Sequence, residues 1–192
     1  MGCVETLELY RRTGAYLEGH FRLSSGLHST GYLQSALVLQ HPVDAAALGA
    51  NIANKVRSLT PTVVLSPALG GVIIGHEVAR ALGVRAMFAE RAGGADLTLR
   101  RGFALSPADK VLVVEDVFTT GKSTRETIDV ARSAGAAIVG AAAIVDRSGG
   151  TLDFGVPSYT LVQLSVPTYE PESCPLCARG VPVVKPGSRP DQ

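Results

Sequence analysis

The sequence predicts an α/β fold in which a central, mainly parallel sheet is flanked by helices. Short apolar runs alternate along the chain with helical patterns, the order typical of parallel sheets wrapped by helices. Hydrophobic residues make up 46% of the chain and charged residues 18%, so the chain is apolar enough to fold. Its 192 residues suit a single domain.

The first 40 residues predict a small region ahead of the sheet. Residues 4–17 have the apolar spacing of a helix, which Gly14 weakens. A turn rich in Gly and Ser follows at 24–26, and residues 32–39 form an extended apolar run. We therefore expect a helix, a turn and an extended segment.

Residues 41–166 contain the alternating elements of the predicted core. Pro42 begins a helix whose apolar residues recur at three- and four-residue spacing as far as Leu59. Ser123 and Glu126 have the spacing of a capping box at the start of a later helix. The other predicted elements are strands at 62–65, 84–89, 111–114, 136–145 and 159–164, and helices at 72–82 and 123–135.

Two segments depart from this alternation. Residues 91–106 are polar and contain Gly93 and Gly94, which predicts an exposed hairpin or a mobile loop. After Val166 the chain becomes rich in proline and loses its periodicity, so we expect an extended tail over 167–192.

Charge and composition exclude several functional classes. The net charge of +1 argues against nucleic acid as the main partner. No apolar run reaches the roughly 18–20 residues of a membrane span, and the first residues lack the pattern of a secretory signal. We therefore expect a cytoplasmic protein with neither nucleic acid nor membrane as a partner.

Cys174 and Cys177 form a Cys-x-x-Cys pair in the predicted tail. A structural zinc site usually has four ligands, Cys3 is the remaining cysteine, and no histidine is near the pair in sequence. No ligand spacing connects the four histidines, which are His20, His28, His41 and His76. Two reduced thiols in a tight turn are favoured over half of a zinc site completed by a partner subunit.

The loops that follow the strands at 62–65 and 111–114 are the candidate binding loops, because ligands of parallel sheets bind at the carboxyl ends of strands. They span 66–71 and 115–122. The second begins with two carboxylates, Glu115 and Asp116, which can accept hydrogen bonds from sugar hydroxyls or hold a metal. Its hydroxyls, its amides and the following helix dipole can bind a phosphate. A single ligand that carries a phosphate and a ribose diol would suit both the carboxylates and the phosphate-binding donors.

The run Gly121-Lys122-Ser123 does not form the phosphate loop of nucleoside triphosphatases. That motif needs a glycine five positions before the second glycine, and position 116 is Asp. Two carboxylates at the end of a strand could simply end the strand, and a serine at the start of a helix could simply cap it. The combination of both features after a fully apolar strand favours a binding site.

Residues 111–126 resemble the phosphoribosyl pyrophosphate (PRPP) signature of the type I phosphoribosyltransferases. Residues 21–29 resemble the hairpin near the start of the orotate phosphoribosyltransferases, 67–71 resemble their pyrophosphate loop, and 145–147 match their Asp-Arg pair. This resemblance covers nearly the whole chain in the right order. It implies the type I phosphoribosyltransferase fold, with a small N-terminal hood or hairpin region at 1–40, the α/β core at 41–166 and the tail at 167–192.

The resemblance implies a pentosyltransferase of pyrimidine (UMP) biosynthesis. Such an enzyme transfers ribose 5-phosphate from PRPP to N1 of orotate and releases orotidine 5′-monophosphate and pyrophosphate. Mg²⁺ is the implied cofactor, bound mainly through PRPP and without a firm protein ligand. A homodimer is the implied assembly.

The resemblance also assigns residues to PRPP. The implied PRPP-binding residues are Glu115, Asp116, Val117, Phe118, Thr119, Thr120, Gly121, Lys122, Ser123, Leu69, Gly70 and Arg91. Glu115 and Asp116 would face the ribose hydroxyls, where carboxylates favour the positive charge of an oxocarbenium-like transition state. With Arg91 they are the catalytic candidates.

Three residues are the candidates for orotate. The guanidinium fork of Arg147 matches a carboxylate bidentately, and orotate carries one. Thr119 is expected to reach the base, and Tyr32 to pack on the pyrimidine face. A structural ion pair between Arg147 and Asp146 is the alternative for that arginine.

Two features depart from the family pattern. No Lys or His lies between positions 90 and 109, so we expect Arg91, with Arg100 or Arg101, to replace the family's loop residues. Ser24 stands where many relatives have a substrate-contacting Lys.

Two other functions stay open at this stage. A phosphoribosyltransferase for a purine base would keep the PRPP loop without needing Arg147. A regulator that senses PRPP would need a DNA- or RNA-binding element.

Overall fold

The structure is a computed structural model that describes residues 2–23, 25–91, 93 and 96–186. Its helices are α1 (Cys3–Arg12), α2 (Ala36–Leu39), α3 (Pro42–Val56), α4 (Gly70–Leu82), α5 (Lys122–Ser133) and α6 (Pro175–Ala178). Its strands are β1 (Tyr16–Arg22), β2 (His28–Leu33), β3 (Val63–Pro67), β4 (Arg85–Arg91), β5 (Leu97–Leu99), β6 (Lys110–Phe118), β7 (Ala137–Asp146), β8 (Ser158–Gln163) and β9 (Thr168–Tyr169). Short 3₁₀ turns span Arg57–Leu59 and Pro171–Ser173.

A six-stranded sheet in the order β5-β4-β3-β6-β7-β8 forms the centre of the molecule. Every neighbouring pair in it is parallel except β4 and β5, which form the predicted polar hairpin. The predicted α/β fold with a mainly parallel sheet is therefore confirmed.

Helices cover both faces of this sheet, which explains its apolar strands. Leu112 and Val114 of β6 pack in one cluster with Ile74 of α4, whereas Val113 packs in a second cluster with Ile128 of α5. Successive side chains of a strand point to opposite faces, so a run of apolar residues serves both layers. Within the described residues, no helix has the length and apolar character that crossing a membrane requires.

The N-terminal region and the tail together form a second, three-stranded antiparallel sheet in the order β1-β2-β9. The β1–β2 pairing contains an irregularity between Glu18 and Phe21. Further along the tail, Val184 exchanges backbone hydrogen bonds of 2.8 and 2.9 Å with His20 and Arg22. We call β1, β2 and β9 the hood sheet.

The prediction of an N-terminal helix is correct, but the predicted ends of the N-terminal elements are wrong. The first helix ends at Arg12 rather than residue 17, because Gly14 has a positive φ of 68° and β1 pairs with β2. The extended run predicted for 32–39 is also wrong, since β2 ends at Leu33 and α2 follows.

Other boundaries also differ from the prediction. The capping box is wrong: Gly121 precedes α5 as its N-cap with φ 73°, Ser123 lies inside the helix, and Glu126 accepts a hydrogen bond from Arg91. The loop predicted at 66–71 shrinks to two residues, because β3 continues to Pro67 and α4 begins at Gly70.

The tail is not simply extended. It contributes β9, a 3₁₀ turn and α6. No histidine is near its two cysteines in sequence, but the fold brings His20 and His28 of the hood sheet beside Cys174 and Cys177.

Helices α3 and α4 approach each other at Gly49. A Cβ atom at this position would lie 2.6 Å from the Cβ and 2.7 Å from the carbonyl carbon of Glu77. Contacts this short involve backbone, so the helices would have to separate. The hydrogen side chain of Gly49 thus sets the distance between the two helices on that face.

We expect Gly49→Ala to lower the free energy of unfolding by about 1–3 kcal/mol, despite the better helix propensity of Ala. Urea denaturation is the measurement. The control is Asn54→Ala, an exposed position of the same helix, where a change within about 0.5 kcal/mol is expected. Unchanged stability of the Gly49 variant would contradict the close approach.

Candidate active site

The carboxyl ends of β3 and β6 meet at one edge of the sheet, because these strands pair in parallel with Leu65 opposite Val113. The N-terminus of α4 follows β3 and lies against the end of β6. A Cβ at Gly70 would be 2.8 Å from Asp116 Oδ1, and one at Gly71 would be 3.2 Å from Glu115 Oε1. A Cβ at Gly71 would also lie 2.8 Å from the Val114 backbone carbonyl oxygen, so a side chain there would push α4 away from the end of β6, whereas the Gly70 contact is with the movable end of the Asp116 side chain.

Glu115 and Asp116 differ in environment. The Glu115 side chain is buried, and its Oε1 accepts the Asp116 backbone N–H at 3.1 Å. Burial, and then the neighbouring Asp116 charge, raise the pKa of Glu115 well above its ordinary value of 4.5. Its protonated form can donate a hydrogen bond as well as accept one. Asp116 is only half-buried, which leaves its oxygens accessible to a ligand.

Residues 119–121 form a short loop, and hydrogen bonds from the Arg125 side chain hold its shape. Its Nη1 donates to the Thr120 carbonyl at 2.9 Å and its Nη2 donates to the Asp153 carbonyl at 3.1 Å, while the guanidinium lies over the Phe154 ring. The loop and the start of α5 line a small pocket formed by Glu115, Val117, Thr119, Thr120, Gly121, Lys122, Ser123 and Thr124.

This small pocket suits a phosphate. Thr119 and Thr120 are exposed hydroxyls, and the pocket is at the positive end of the α5 dipole. A larger open cavity lies between β5 and α5, but three of its lining residues are the acids Asp96, Glu126 and Asp129. Their charge opposes an anionic ligand, so the loop after β6 is the candidate site.

Arg147 lies at the same edge of the sheet, directly after β7. Its backbone N–H donates to the Phe118 carbonyl at 2.8 Å, which places it next to the loop. Its Nη2 donates to Ser29 Oγ at 3.2 Å on the hood sheet. Desolvation lowers the pKa of Arg147, although nearby Tyr16 and Tyr32 oppose this shift. Arginine stays charged in proteins, so a partly buried cation faces the hood here.

No carboxylate among the described residues forms an ion pair with Arg147. The structural alternative, a pair with Asp146, does not form. Asp146 instead accepts hydrogen bonds from the Ser148 backbone, the Ser148 hydroxyl and the Gly150 backbone at 2.6–3.0 Å. Arg147 therefore retains guanidinium N–H groups for an anionic ligand.

Tyr32 of β2 is half-buried, and its ring centroid is 6.0 Å from that of Phe21. Burial raises the pKa of Tyr32, the Asp116 charge raises it further, and the Arg147 charge lowers it. Tyr32 therefore lies within the electrostatic reach of both the strand-end carboxylate and the candidate anion-binding arginine. The hood sheet and the loop after β6 face the same site.

The loop arginines have acidic partners in this conformation. Arg91, at the end of β4, donates to Glu126 of α5. Arg101 donates to both oxygens of Glu90 at 2.9 and 3.0 Å and lies over the Phe88 ring. Arg100 is exposed. The expectation that these arginines replace the family's loop residues stays a prediction.

Ser24 and Gly94, which the sequence analysis named, lie outside the described residues. Leu69 is 86% exposed beside the glycines of α4. Arg125 and Ser29 were not predicted, because their contacts join segments far apart in sequence and no local pattern marks them.

The phosphoribosyl transferase domain family matches residues 36–161 of the chain. The chain is 54% identical to the orotate phosphoribosyltransferase of Carboxydothermus hydrogenoformans over 98% of this chain and 100% of that protein. Among solved structures, it resembles orotate phosphoribosyltransferase from Aeropyrum pernix with a TM-score of 0.68, at 26% identity over 82% of this chain and 92% of that one. The Mycobacterium tuberculosis orotate phosphoribosyltransferase, solved in complex with PRPP, matches with a TM-score of 0.65 at 25% identity over 83% and 94% of the chains.

The raised pKa of Glu115 makes stability depend on pH. A carboxyl with a higher pKa in the folded than in the unfolded state stabilises the fold most below its ordinary value of 4.5, and this stabilisation is lost as the pH rises through the folded-state pKa. We expect Glu115→Gln to remove that loss. As the pH rises above about 4.5, the free energy of unfolding of the variant should therefore increase relative to that of the unsubstituted protein.

Urea denaturation across that pH range, without substrate, is the measurement. Glu18→Gln is the control because Glu18 is an exposed residue of β1, and it should keep the pH dependence of the unsubstituted protein. Parallel pH profiles for the Glu115 variant and the unsubstituted protein would contradict the assignment.

Proposed function

This chain belongs to the orotate phosphoribosyltransferase family, and we propose that it transfers ribose 5-phosphate from PRPP to N1 of orotate. The products are orotidine 5′-monophosphate and pyrophosphate, in pyrimidine biosynthesis. The observation that carries this proposal is a partly buried arginine, Arg147, which has no carboxylate partner among the described residues and lies beside the loop that suits a phosphate. Phosphate and carboxylate are the two anionic groups that the reaction brings together.

The 5-phosphate of PRPP would bind at the loop after β6. Backbone N–H groups at the start of α5 and the hydroxyls of Thr119, Thr120 and Ser123 supply the donors. The bracing of the loop by Arg125 keeps these donors in place before the substrate arrives. Such preorganisation means that little binding energy is lost to ordering the loop.

Glu115 and Asp116 would face the ribose. Its hydroxyls can donate to Asp116, while the buried Glu115 can accept or donate according to its protonation. As the bond from ribose to pyrophosphate weakens, the sugar ring gains positive charge. The Asp116 carboxylate, and Glu115 when it is ionised, stabilise that charge more than they stabilise the neutral ground state, which lowers the barrier.

We propose Mg²⁺ as the cofactor, with PRPP supplying most of its ligands. The donor set fits, since Mg²⁺ prefers oxygen and the accessible carboxylate of Asp116 lies at the ribose end of the site. When bound, Mg²⁺ would neutralise charge on the pyrophosphate group.

Orotate would bind between the loop and the hood sheet. The Arg147 guanidinium would take the orotate carboxylate, and its contact with Ser29 would orient the fork. Thr119 follows Phe118, whose carbonyl accepts the Arg147 backbone N–H, so its hydroxyl is near the same ligand. The Tyr32 ring would pack on the pyrimidine face.

The pyrophosphate end would be bound by the short α4 loop and the β4–β5 hairpin. Leu69 and Gly70 offer backbone groups, and the exposed apolar Leu69 leaves them open. We assign Arg91 to this end, where it would exchange Glu126 for pyrophosphate oxygens when the hairpin closes. Closure of such a segment excludes water from a cationic reacting centre.

We also propose a cytoplasmic homodimer. Exposed apolar side chains of α3 and α4 support a second copy as the partner: Val43 and Ile73 are 82% and 45% exposed. Light scattering during gel filtration would give the mass of two chains if this assembly is right.

The central test follows orotate by its absorbance in the presence of PRPP and Mg²⁺. We expect loss of orotate that requires both additions. Adenine and hypoxanthine in place of orotate test the purine alternative and should give no turnover. Turnover of a purine base alone would contradict the proposal, and PRPP binding without turnover of any base would favour a regulator.

In the same assay, Arg147→Ala should raise KM for orotate about 10- to 100-fold, because a charge-assisted contact contributes about 1.5–3 kcal/mol. Its KM for PRPP should stay within a few-fold. Arg91→Ala should instead lower kcat or weaken the binding of PRPP. The matched control is Arg132→Ala, an exposed arginine paired with Asp129 on α5, which should leave both constants unchanged.

A further inference from the structure

Two histidines and two cysteines converge at one end of the hood sheet. His20 lies on β1, His28 on β2, Cys174 just before α6 and Cys177 within it. Each of the four residues offers one potential ligand atom, and these four atoms all lie within 4.8 Å of one another. His20 Nε2 is 2.9 Å from His28 Nδ1, and Cys174 Sγ and Cys177 Sγ are 3.5 and 3.7 Å from that same His20 nitrogen. Cys177 Sγ is also 3.3 Å from His28 Nδ1.

These separations match the edges of a tetrahedral zinc site. Zn–S bonds of about 2.3 Å and Zn–N bonds of about 2.0 Å give edges of about 3.3 Å between nitrogens and about 3.5 Å between nitrogen and sulfur. The three sulfur–nitrogen distances of 3.3–3.7 Å bracket that value. The nitrogen pair, at 2.9 Å, needs to open by only a few tenths of an ångström.

We propose that His20, His28, Cys174 and Cys177 bind one Zn²⁺ ion as a structural site. Two thiolates and two imidazoles in a tetrahedron are a donor set that zinc favours. Two-iron clusters can take the same four ligands but divide them between two iron atoms, whereas these four ligand atoms all lie within 4.8 Å of one another, which suits a single ion. With four protein ligands the site is closed, so it has no open position for a substrate.

The surroundings hold one histidine in the form that binds metal. His20 Nδ1 lies 2.7 Å from the Val181 carbonyl, which only accepts hydrogen bonds, so Nδ1 carries the proton. This leaves the Nε2 lone pair directed at the cluster. A backbone carbonyl that fixes the tautomer in this way is a common partner of zinc-bound histidine. Three of the four residues are also buried, which limits competition from water.

A disulfide between Cys174 and Cys177 would explain the closeness of the two sulfurs but not the position of the two histidines. Both cysteines are free thiols, and each sulfur faces an imidazole nitrogen. A disulfide would need neither histidine, and it would close a loop of only a few residues within the tail. A metal would instead join Cys174 to His20 across 154 positions, fastening the tail to the first hairpin.

The position of the site gives it a role in substrate binding, a consequence that rests on the proposed function. His28 precedes Ser29, which accepts a hydrogen bond from Arg147 and donates to the Pro167 carbonyl at 3.1 Å. The metal would thus hold together the two segments, β2 and the tail, that position Ser29. Loss of metal should loosen the hood and raise KM for orotate more than KM for PRPP.

The decisive experiment is metal analysis of the full chain, purified without a polyhistidine tag and without chelators. Inductively coupled plasma mass spectrometry should find about one zinc per chain. Cys174→Ser and Cys177→Ser should each reduce zinc to background. Cys3→Ser is the matched control, because Cys3 is exposed on α1, and it should keep the full zinc content. Cobalt in place of zinc should give the visible absorption of a tetrahedral thiolate complex.

Circular dichroism and urea denaturation of the Cys177 variant check that its α/β core still folds, and Cys177 is exposed enough to substitute. Removing zinc with a zinc-selective chelator, with Mg²⁺ kept in excess, should make the chain after Val166 sensitive to protease and should be reversed by added zinc. A metal-free protein would overturn the proposal, as would a Cys174–Cys177 disulfide in the mass spectrum or equal zinc in the cysteine variants. Stoichiometric zinc in a protein that does not use orotate would contradict the proposed function and leave the metal site standing.

Discussion

Parallel pairing of β3, β6 and β7 is the constraint on which the rest of the site depends. Because β6 pairs in parallel with both neighbours, the segments that follow these three strands open at one edge of the sheet. That edge gathers the glycine-rich start of α4, the two carboxylates that end β6 and the arginine that follows β7. The fully buried residues 111–114 hold this arrangement from within, so one strand serves both the core and the chemistry.

The hood sheet completes the site from the other side. It presents Tyr32 and Ser29 on the side from which we propose that Arg147 binds the base. A three-stranded sheet this small has little core of its own, and marginal stability is expected of it. Its third strand and its edge contact at Val184 both come from the tail. The proposed zinc site would stabilise that arrangement at the place where the hydrophobic core does not reach.

Local patterns in the sequence predicted the features that are contiguous along the chain. The apolar run into Glu115 and Asp116, with hydroxyls and a glycine after it, needed no distant contact to be recognised. Tertiary contacts decided the rest. Residues 16 and 17 belong to β1 rather than to the predicted helix, because they pair with β2. Glu126 accepts a hydrogen bond from Arg91 instead of capping its own helix. The histidines escaped detection because their partners are about 150 residues away.

Ligand binding measured by calorimetry tests the assignment of Arg147 to the orotate carboxylate without requiring turnover. Orotidine 5′-monophosphate and uridine 5′-monophosphate share the 5-phosphate and ribose and differ in the base carboxylate. We expect this protein to bind orotidine 5′-monophosphate more tightly than uridine 5′-monophosphate, and Arg147→Ala to abolish the difference. Equal binding of the two nucleotides by the unsubstituted protein, or a preference that survives in the Arg147 variant, would contradict it.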